Sequence, residues 1–257
     1  MKASSPPVVF IGAGPGAADL ITVRGARRLG EADVVLFDAL TDPALRALAP
    51  RARWVDVGKR GFCDSTGQTR INALLVKFAT EGKRVVRLKG GDPSVFGRLE
   101  EELQALSEAG LVAEVVPGVT AAIASAAALQ RPLTRRGTGR SVSLTTAMTR
   151  SGNLQAGRSA DTEVFYMAGR QLAALSRRLL DAGWAADTPV AVVSRAGWPD
   201  QLASDHRVAT LAEASVLHAG RPAVVTVGVG AGALPAAAPR DPTADAAAPR
   251  ELASRNH

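Results

Sequence analysis

The sequence predicts an α/β fold, because short apolar segments alternate along the chain with segments of helical periodicity. Hydrophobic residues make up 46% of the chain and charged residues 21%, as in ordinary globular proteins. Several apolar runs have the length and composition of buried strands, mostly in a parallel sheet. These runs are Val8–Gly12, Asp33–Phe37, Val85–Lys89, Val112–Val116 and Ala223–Val229.

Helix boundary signals lie between the predicted strands. Thr22 is a suitable N-cap for a helix that ends at Gly30, and Asp42-Pro43 is typical of a cap followed by a first-turn proline. Further helices are predicted over Ile71–Thr80, Leu99–Ala109 and Thr120–Leu129.

The composition of the chain changes near Gln130, where a polar, basic segment begins. A second series of alternating strand-like and helical segments follows it. We therefore predict an N-terminal α/β domain over 1–130 and a C-terminal α/β domain over 131–234. The residues 235–257 lack periodic apolar positions and are predicted to be a disordered tail. The second series comprises SVSLTT, VFYM, a helix over Gln171–Ala182, VAVV and a helix that begins with a capping box at Thr210–Glu213.

Composition narrows the functional class. The formal net charge of +7 favours an anionic partner. The chain has three His and a single cysteine, Cys63, so we expect no internal disulfide and no metal site. No apolar run resembles a secretory signal or a membrane helix, so we expect a cytoplasmic protein without a membrane partner.

The first glycine loop, Gly12–Ala17, follows a predicted strand and fits G-x-G-x-x-A, with the acidic Asp38 after the next strand. That is the outline of a dinucleotide-binding loop. Pro15, however, removes a backbone N–H from the loop, and the next helix begins only near Thr22. A loop for another small molecule is therefore favoured, while an NAD-dependent oxidoreductase and a plain structural turn stay as alternatives.

Two more small-residue loops follow predicted strands, Lys89–Pro93 and Pro117–Ala121. Their glycines would let a ligand approach the backbone, and Asp92 offers a hydrogen-bond acceptor. In open α/β sheets, ligands bind in the crevice at the carboxyl ends of the strands. The three loops together predict a small-molecule site at that edge.

The order of motifs resembles that of the tetrapyrrole methyltransferase family. The motifs are VVFIGAGPGAADLITVRGARRLGEADVVLFDAL, VGKRGF, QTRINALLVKFATEGKRVVRLKGGDPSVFGR and VVPGVTAA. The resemblance is close from Val8 to Arg136 and looser through VFYMAG, TPVAVVSRAG and AVVTVGVG. It implies two α/β domains of the tetrapyrrole methyltransferase type, with S-adenosylmethionine bound in the cleft between them and S-adenosylhomocysteine as a product.

The resemblance also implies a reaction and its residues. The expected reaction is C-methylation of uroporphyrinogen III to precorrin-2, in siroheme or cobalamin biosynthesis, by a homodimer. Asp38 would be the proton acceptor, with Phe37 where the family has Tyr, and Lys59 the proton donor. Cofactor contacts would come from Pro15, Gly90, Gly91, Asp92, Val95, Thr120, Ala121, Met167 and Ala196.

The polycarboxylate substrate accounts for the basic charge, since arginines bind carboxylates in bidentate fashion. The expected substrate contacts are Arg98, Arg135 and Arg136. Three family motifs are altered here: THR reads Thr134-Arg135-Arg136, TGH reads Thr146-Ala147-Met148, and GRGGEE reads GRLEEE over 97–102. These changes leave open a methyltransferase for a later precorrin and a non-catalytic tetrapyrrole-binding relative. A nucleic-acid partner is not expected, because aromatic residues are few and no basic helical stripe is present.

Overall fold

Two five-stranded sheets, one after the other along the chain, form the body of the protein. The computed structural model describes residues 5–58, 65–147 and 156–234. The first sheet ends at Val116 and the second begins at Val142. The predicted domain boundary near Arg131 falls between the two sheets, and its position stays a prediction.

The first sheet is entirely parallel and has the strand order β3-β2-β4-β1-β5. Its central strands β1 and β4 are buried along their whole length, because helices cover both faces. Its strands are β1 (Val8–Gly12), β2 (Val34–Phe37), β3 (Arg53–Asp56), β4 (Val85–Lys89) and β5 (Ala113–Val116). The helices of this half are α1 (Val23–Gly30), α2 (Ser65–Thr80), α3 (Leu99–Glu108) and α4 (Ala121–Ala128).

The second sheet has the order β6-β7-β10-β8-β9 and is mostly antiparallel. Only β6 and β7 pair in parallel, so the prediction of a parallel arrangement is wrong for the Ala223–Val229 run, which is antiparallel to both neighbours. Its strands are β6 (Val142–Thr146), β7 (Thr162–Tyr166), β8 (Pro189–Ser194), β9 (Leu202–Arg207) and β10 (Ala223–Gly228). Helices α5 (Leu172–Asp181) and α6 (Ala214–Leu217) complete this half.

The predicted helix caps have mixed outcomes. The Thr22 hydroxyl accepts a hydrogen bond from Gly25 N at 3.1 Å, and Asp42 caps the 3₁₀ helix that begins at Pro43, so both predictions are confirmed. The predicted cap at Thr210 is wrong. Thr210 lies inside a 3₁₀ helix, Val208–Glu213, and its hydroxyl accepts from Arg207 N instead.

None of the helices in the described ranges is both long and apolar enough to cross a bilayer.

Candidate active site

Three loops meet at the carboxyl ends of β1, β4 and β5. The loop after β1 pairs with the loop after β4 through two hydrogen bonds: Gly91 N donates to Gly14 O at 2.7 Å and Gly14 N donates to Gly91 O at 3.2 Å. Asp92 then ties the second loop to the third, since its Oδ2 accepts from Gly118 N at 2.8 Å. The three loops therefore form one continuous surface, as the sequence predicts.

Glycines make this close packing possible. A Cβ on Gly12 would lie 2.5 Å from Gly118 Cα and 2.7 Å from Gly91 O. Gly91 also has a φ of +68°, a conformation that favours glycine. This surface, which we call the glycine floor (Gly12, Gly91 and Gly118), is therefore built from main chain without side chains.

The second half of the chain supplies the opposite wall. Tyr166, at the end of β7, places its hydroxyl 2.7 Å from Thr120 Oγ1 and accepts a hydrogen bond from Ala122 N at 3.2 Å. Its ring lies 5.0 Å from that of Phe96, centroid to centroid. These contacts fix the wall to the first turn of α4 and to the loop after β4.

A tryptophan in the loop after β8, Trp198, lines the same wall. Trp198 Nε1 donates to Pro15 O at 3.2 Å, and the Arg195 guanidinium stacks over the indole at 4.3 Å from the ring centroid. Gly16 lies beneath the indole, where a Cβ would come within 2.3 Å of Trp198 Cδ1. We call this contact between Trp198 and the Pro15-Gly16 segment the tryptophan clasp.

Gly91 of the floor and the residues of the wall line a pocket of about 740 Å³, the size of a small-molecule site. Three residues that line the pocket have a left-handed backbone conformation, with φ between 51° and 58°: Phe96, Met167 and Arg195. Such conformations cost energy outside glycine and cluster at functional sites. All nine predicted cofactor contacts line this one pocket: Pro15, Gly90, Gly91, Asp92, Val95, Thr120, Ala121, Met167 and Ala196.

Of the two predicted catalytic residues, Asp38 and Lys59, only Asp38 is among the described residues. Asp38 follows β2 and does not itself line the pocket, although Leu40, two residues further on, does. Its Oδ1 accepts a hydrogen bond from the buried Arg87 at 2.6 Å. Lys59 lies outside the described residues.

The predicted substrate arginines do not line the pocket. Arg98 precedes α3 and forms a bidentate ion pair with Glu101, with both N···O distances at 2.6 Å. Arg135 donates to the carbonyls of Gly232 and Ala233, and its Nε is buried without a partner among the described residues. Arg136 is exposed.

Three other arginines line the pocket, and sequence reasoning missed all of them. Arg195 and Arg221 share the carboxylate of Asp200, whereas no described residue forms an ion pair or hydrogen bond with the Arg170 guanidinium. Arg170 follows the YMAG segment directly, so its position beside that motif was the one available signal. Arg195 lies in TPVAVVSRAG, next to the predicted contact Ala196, whereas nothing local to Arg221 or Trp198 marks them in the sequence.

The comparisons with known proteins agree with this architecture. Residues 7–214 match the family described as Tetrapyrrole (Corrin/Porphyrin) Methylases. The chain belongs to this family. The predicted fold class, α/β of the tetrapyrrole methyltransferase type, is thereby confirmed.

Individual relatives of this methylase have related names. The chain is 45% identical over 193 residues to a uroporphyrinogen-III C-methyltransferase of Pseudomonas aeruginosa, covering 74% of this chain and 79% of that protein. It is 44% identical over 231 residues to siroheme synthase 1 of Pectobacterium atrosepticum, covering 86% of this chain. The match covers 47% of that synthase, so the chain spans about half the length of the siroheme synthases it resembles.

Solved structures with a similar fold are also methyltransferases. A uroporphyrin-III C-methyltransferase from Thermus thermophilus complexed with S-adenosylhomocysteine has a TM-score of 0.76 at 36% identity, covering 87% of this chain and 97% of that one. A cobalt precorrin-4 methyltransferase has a TM-score of 0.78 at 31% identity, covering 88% and 96%.

Proposed function

We propose that this methylase transfers methyl groups from S-adenosylmethionine to ring carbons of uroporphyrinogen III, forming precorrin-2 for siroheme or cobalamin biosynthesis. The observation that supports this most is that the nine predicted cofactor contacts, drawn from both halves of the chain, line a single pocket. The similarity to the Pseudomonas aeruginosa enzyme supports the choice of substrate.

The residues of the pocket fit this cofactor. Gly90 and Gly91 let a ligand approach the main chain, and Met167, Ala196 and Val95 offer apolar contact on the other sides. The carboxylate of Asp92 is already held by Gly118 N and Ser94 N, each at 2.8 Å, so it has a fixed position at the pocket. When bound, S-adenosylmethionine supplies a methyl group activated by its sulfonium.

The work left to the chain is alignment and proton removal. After a ring carbon gains a methyl group, a proton must leave the macrocycle, and we propose that Asp38 accepts it. Arg87 holds Oδ1 of Asp38, and no described residue donates a hydrogen bond to Oδ2. The second oxygen is therefore available to the substrate. Lys59 stays a predicted proton donor.

Arg170 is the best placed cation for the substrate's carboxylates. It is exposed and lines the pocket, and its guanidinium has no charged partner among the described residues. The predicted contacts Arg98 and Arg135 already have partners, so binding a substrate would require breaking those contacts. We therefore propose that Arg170 binds a substrate carboxylate in addition to the predicted set of Arg98, Arg135 and Arg136.

A second copy of the chain would cover an apolar surface at the edge of the second sheet. In the edge strand β6, Leu144 is 40% exposed, and the α4 residue Ile123 is 53% exposed. Both belong to one apolar groove. We propose a homodimer that covers this groove. Light scattering of the wild-type protein should give twice the chain mass, and Ile123→Asp should give monomer.

We also propose the cytoplasm as the compartment, which suits a chain with a single cysteine. No nucleic-acid or membrane partner is proposed.

A methyl-transfer assay with mass detection tests the function. Purified protein, S-adenosylmethionine and uroporphyrinogen III should yield mono- and then dimethylated product. Methylation of a later precorrin alone would favour the alternative function, a methyltransferase for a later precorrin. The similarity to the cobalt precorrin-4 methyltransferase supports that alternative. Calorimetric heat with NAD and none with S-adenosylmethionine would refute both.

Two variants separate the roles within the site. Asp38→Asn should keep cofactor binding and lose turnover, because only the proton acceptor is changed. Gly91→Trp should lose cofactor binding, because a bulky side chain would replace part of the glycine floor at a left-handed position. Asp181→Asn, at the exposed end of α5, is the matched control. Equal cofactor affinity in the two site variants would contradict the assignment of the loop after β4.

A further inference from the structure

A cluster of charged side chains is buried between β4 and α3. Arg87 and Lys89 extend from β4, and Glu102 comes from the first turn of α3. Their side chains are 3%, 3% and 0% exposed. We call these three residues the buried charge cluster. Arg87 joins it to Asp38, so a chain of contacts connects the interior to the proposed proton acceptor.

Glu102 is the centre of this cluster. Its Oε2 accepts from Lys89 Nζ at 2.6 Å, and its Oε1 accepts from Arg87 Nε at 3.0 Å and from Gln68 Nε2 at 3.3 Å. Two cations thus share one fully buried carboxylate. Burial and the neighbouring charge of Arg87 lower the pKa of Lys89, whereas the Glu102 carboxylate opposes this shift.

Stability alone does not account for such a cluster. Burying charges carries a desolvation cost, and apolar residues of similar volume often hold an interface as well or better. The surrounding helix–sheet interface is in fact apolar, with Leu75, Leu106 and Val85 packed beside it. The charges are therefore expected to serve another purpose.

The contacts of Arg87 indicate that purpose. Its Nη1 donates to the carbonyls of Leu36 and Leu88, at 3.4 and 3.1 Å, and its Nη2 donates to Asp38 Oδ1 at 2.6 Å. With Nε on Glu102, all three nitrogens of the guanidinium are occupied. Arg87 therefore has a single orientation, which in turn fixes the direction of the Asp38 carboxylate.

We infer that Glu102 is a positioning residue for methyl transfer: it orients Arg87, which holds Asp38 in the geometry that accepts the ring proton, while Lys89 balances the charge of Glu102. The inference rests on the proposed function. Glu102 itself touches neither substrate nor cofactor, since it is fully buried and does not line the pocket. Its removal should thus affect turnover more than binding.

A charge-balanced double variant separates this role from a structural one. Glu102→Leu alone would leave Lys89 buried without its partner, and the protein could then fail to fold. Glu102→Leu with Lys89→Met removes both charges and keeps the interface filled, but it takes away the acceptor for Arg87 Nε. The matched control is Glu108→Gln, which changes a carboxylate at the exposed end of α3 that accepts a hydrogen bond from Gln104.

Four quantities are measured: kcat and KM for uroporphyrinogen III, Kd for S-adenosylhomocysteine, and the thermal unfolding midpoint. We expect the double variant to fold, to bind S-adenosylhomocysteine within about twofold of wild type and to keep KM within about threefold. Its kcat should fall at least about tenfold, because a misplacement near 1 Å can reduce a rate about a hundredfold. The control should match wild type in all four.

Other outcomes overturn the inference in distinguishable ways. A folded double variant with wild-type kcat, or one whose loss of activity follows its loss of S-adenosylhomocysteine binding, would show that the cluster serves only the fold. Wild-type protein that methylates no tetrapyrrole would overturn the proposed function and the inference together. If the double variant does not fold, Arg87→Lys replaces it. That variant keeps the charge and must still lower kcat at constant KM, since a lysine cannot reach Glu102 and Asp38 at once.

Discussion

Substituting Gly16 by alanine should open the tryptophan clasp. The new Cβ would lie 2.3 Å from Trp198 Cδ1 and 2.4 Å from Trp198 Nε1, whereas carbon atoms in contact are separated by about 3.5–4.0 Å. The indole must therefore move by more than about 1 Å. Such a shift breaks the 3.2 Å hydrogen bond to Pro15 O, because that bond is already at the long end of the normal range.

The cost can be bounded from the contacts that are lost. The hydrogen bond contributes about 1 kcal/mol net. The stacking of Arg195 on the indole contributes about 0.5–1 kcal/mol at a partly exposed site. Together they give about 1.5–2 kcal/mol, or at most about a 30-fold weaker affinity for a cofactor that needs the clasp closed. Trp198→Phe removes the hydrogen bond but keeps an aromatic ring for Arg195 to stack on, so it should weaken binding less than about tenfold.

Isothermal titration with S-adenosylhomocysteine measures both variants. The control is Gly157→Ala, because a Cβ on Gly157 would meet no atom within 4 Å and its backbone is not left-handed. The reasoning is refuted if Gly16→Ala binds as tightly as wild type, or if Gly157→Ala loses as much affinity as Gly16→Ala.

Three further predictions concern other contacts. Gly12→Ala forces a Cβ against the main chain of Gly118, so the unfolding midpoint should fall by at least about 3 °C and S-adenosylhomocysteine binding should weaken; an unchanged melting curve would contradict this. Tyr166→Phe removes a hydroxyl that joins the two halves and should weaken the same binding about three- to tenfold by calorimetry, with near-normal stability. Hydrogen bonds from Arg84 lower the pKa of Asp33 from 3.8 to about 2, so the stabilisation is present above pH 4 and is lost as the pH falls towards 2. In urea unfolding, Asp33→Asn should therefore destabilise the protein at pH 5 and much less at pH 2.5, whereas an equal effect at both would exclude the ion pair as the cause.

The central strands and the three ligand loops could be predicted because their signals are local. A strand buried on both faces is a continuous apolar run, as β1 and β4 are, and a glycine at its end marks a close approach of main chain. The edge strands β3 and β9 lack this signal. β3 is exposed at both ends and half-buried between them, β9 alternates between half-buried and exposed residues, and neither was predicted.

Long-range pairing could not be predicted from the sequence. The direction of β10 depends on which strands lie beside it, and a run such as AVVTVGV is equally apolar in either direction. The buried charge cluster is a similar case. Arg87 and Glu102 are ordinary surface residue types, and only the packing of α3 on β4 makes them a pair. Trp198 likewise meets Pro15 across 183 positions of sequence.

The glycine floor and the opposite wall would respond differently to protein engineering. The glycine floor has no side chain to exchange, and one added at Gly12 or Gly118 would clash with main chain. The wall around Met167, Arg170 and Trp198 consists of side chains, each of which can be exchanged without moving that floor. A library intended to accept a different ring should therefore randomise these wall positions and leave the glycines fixed.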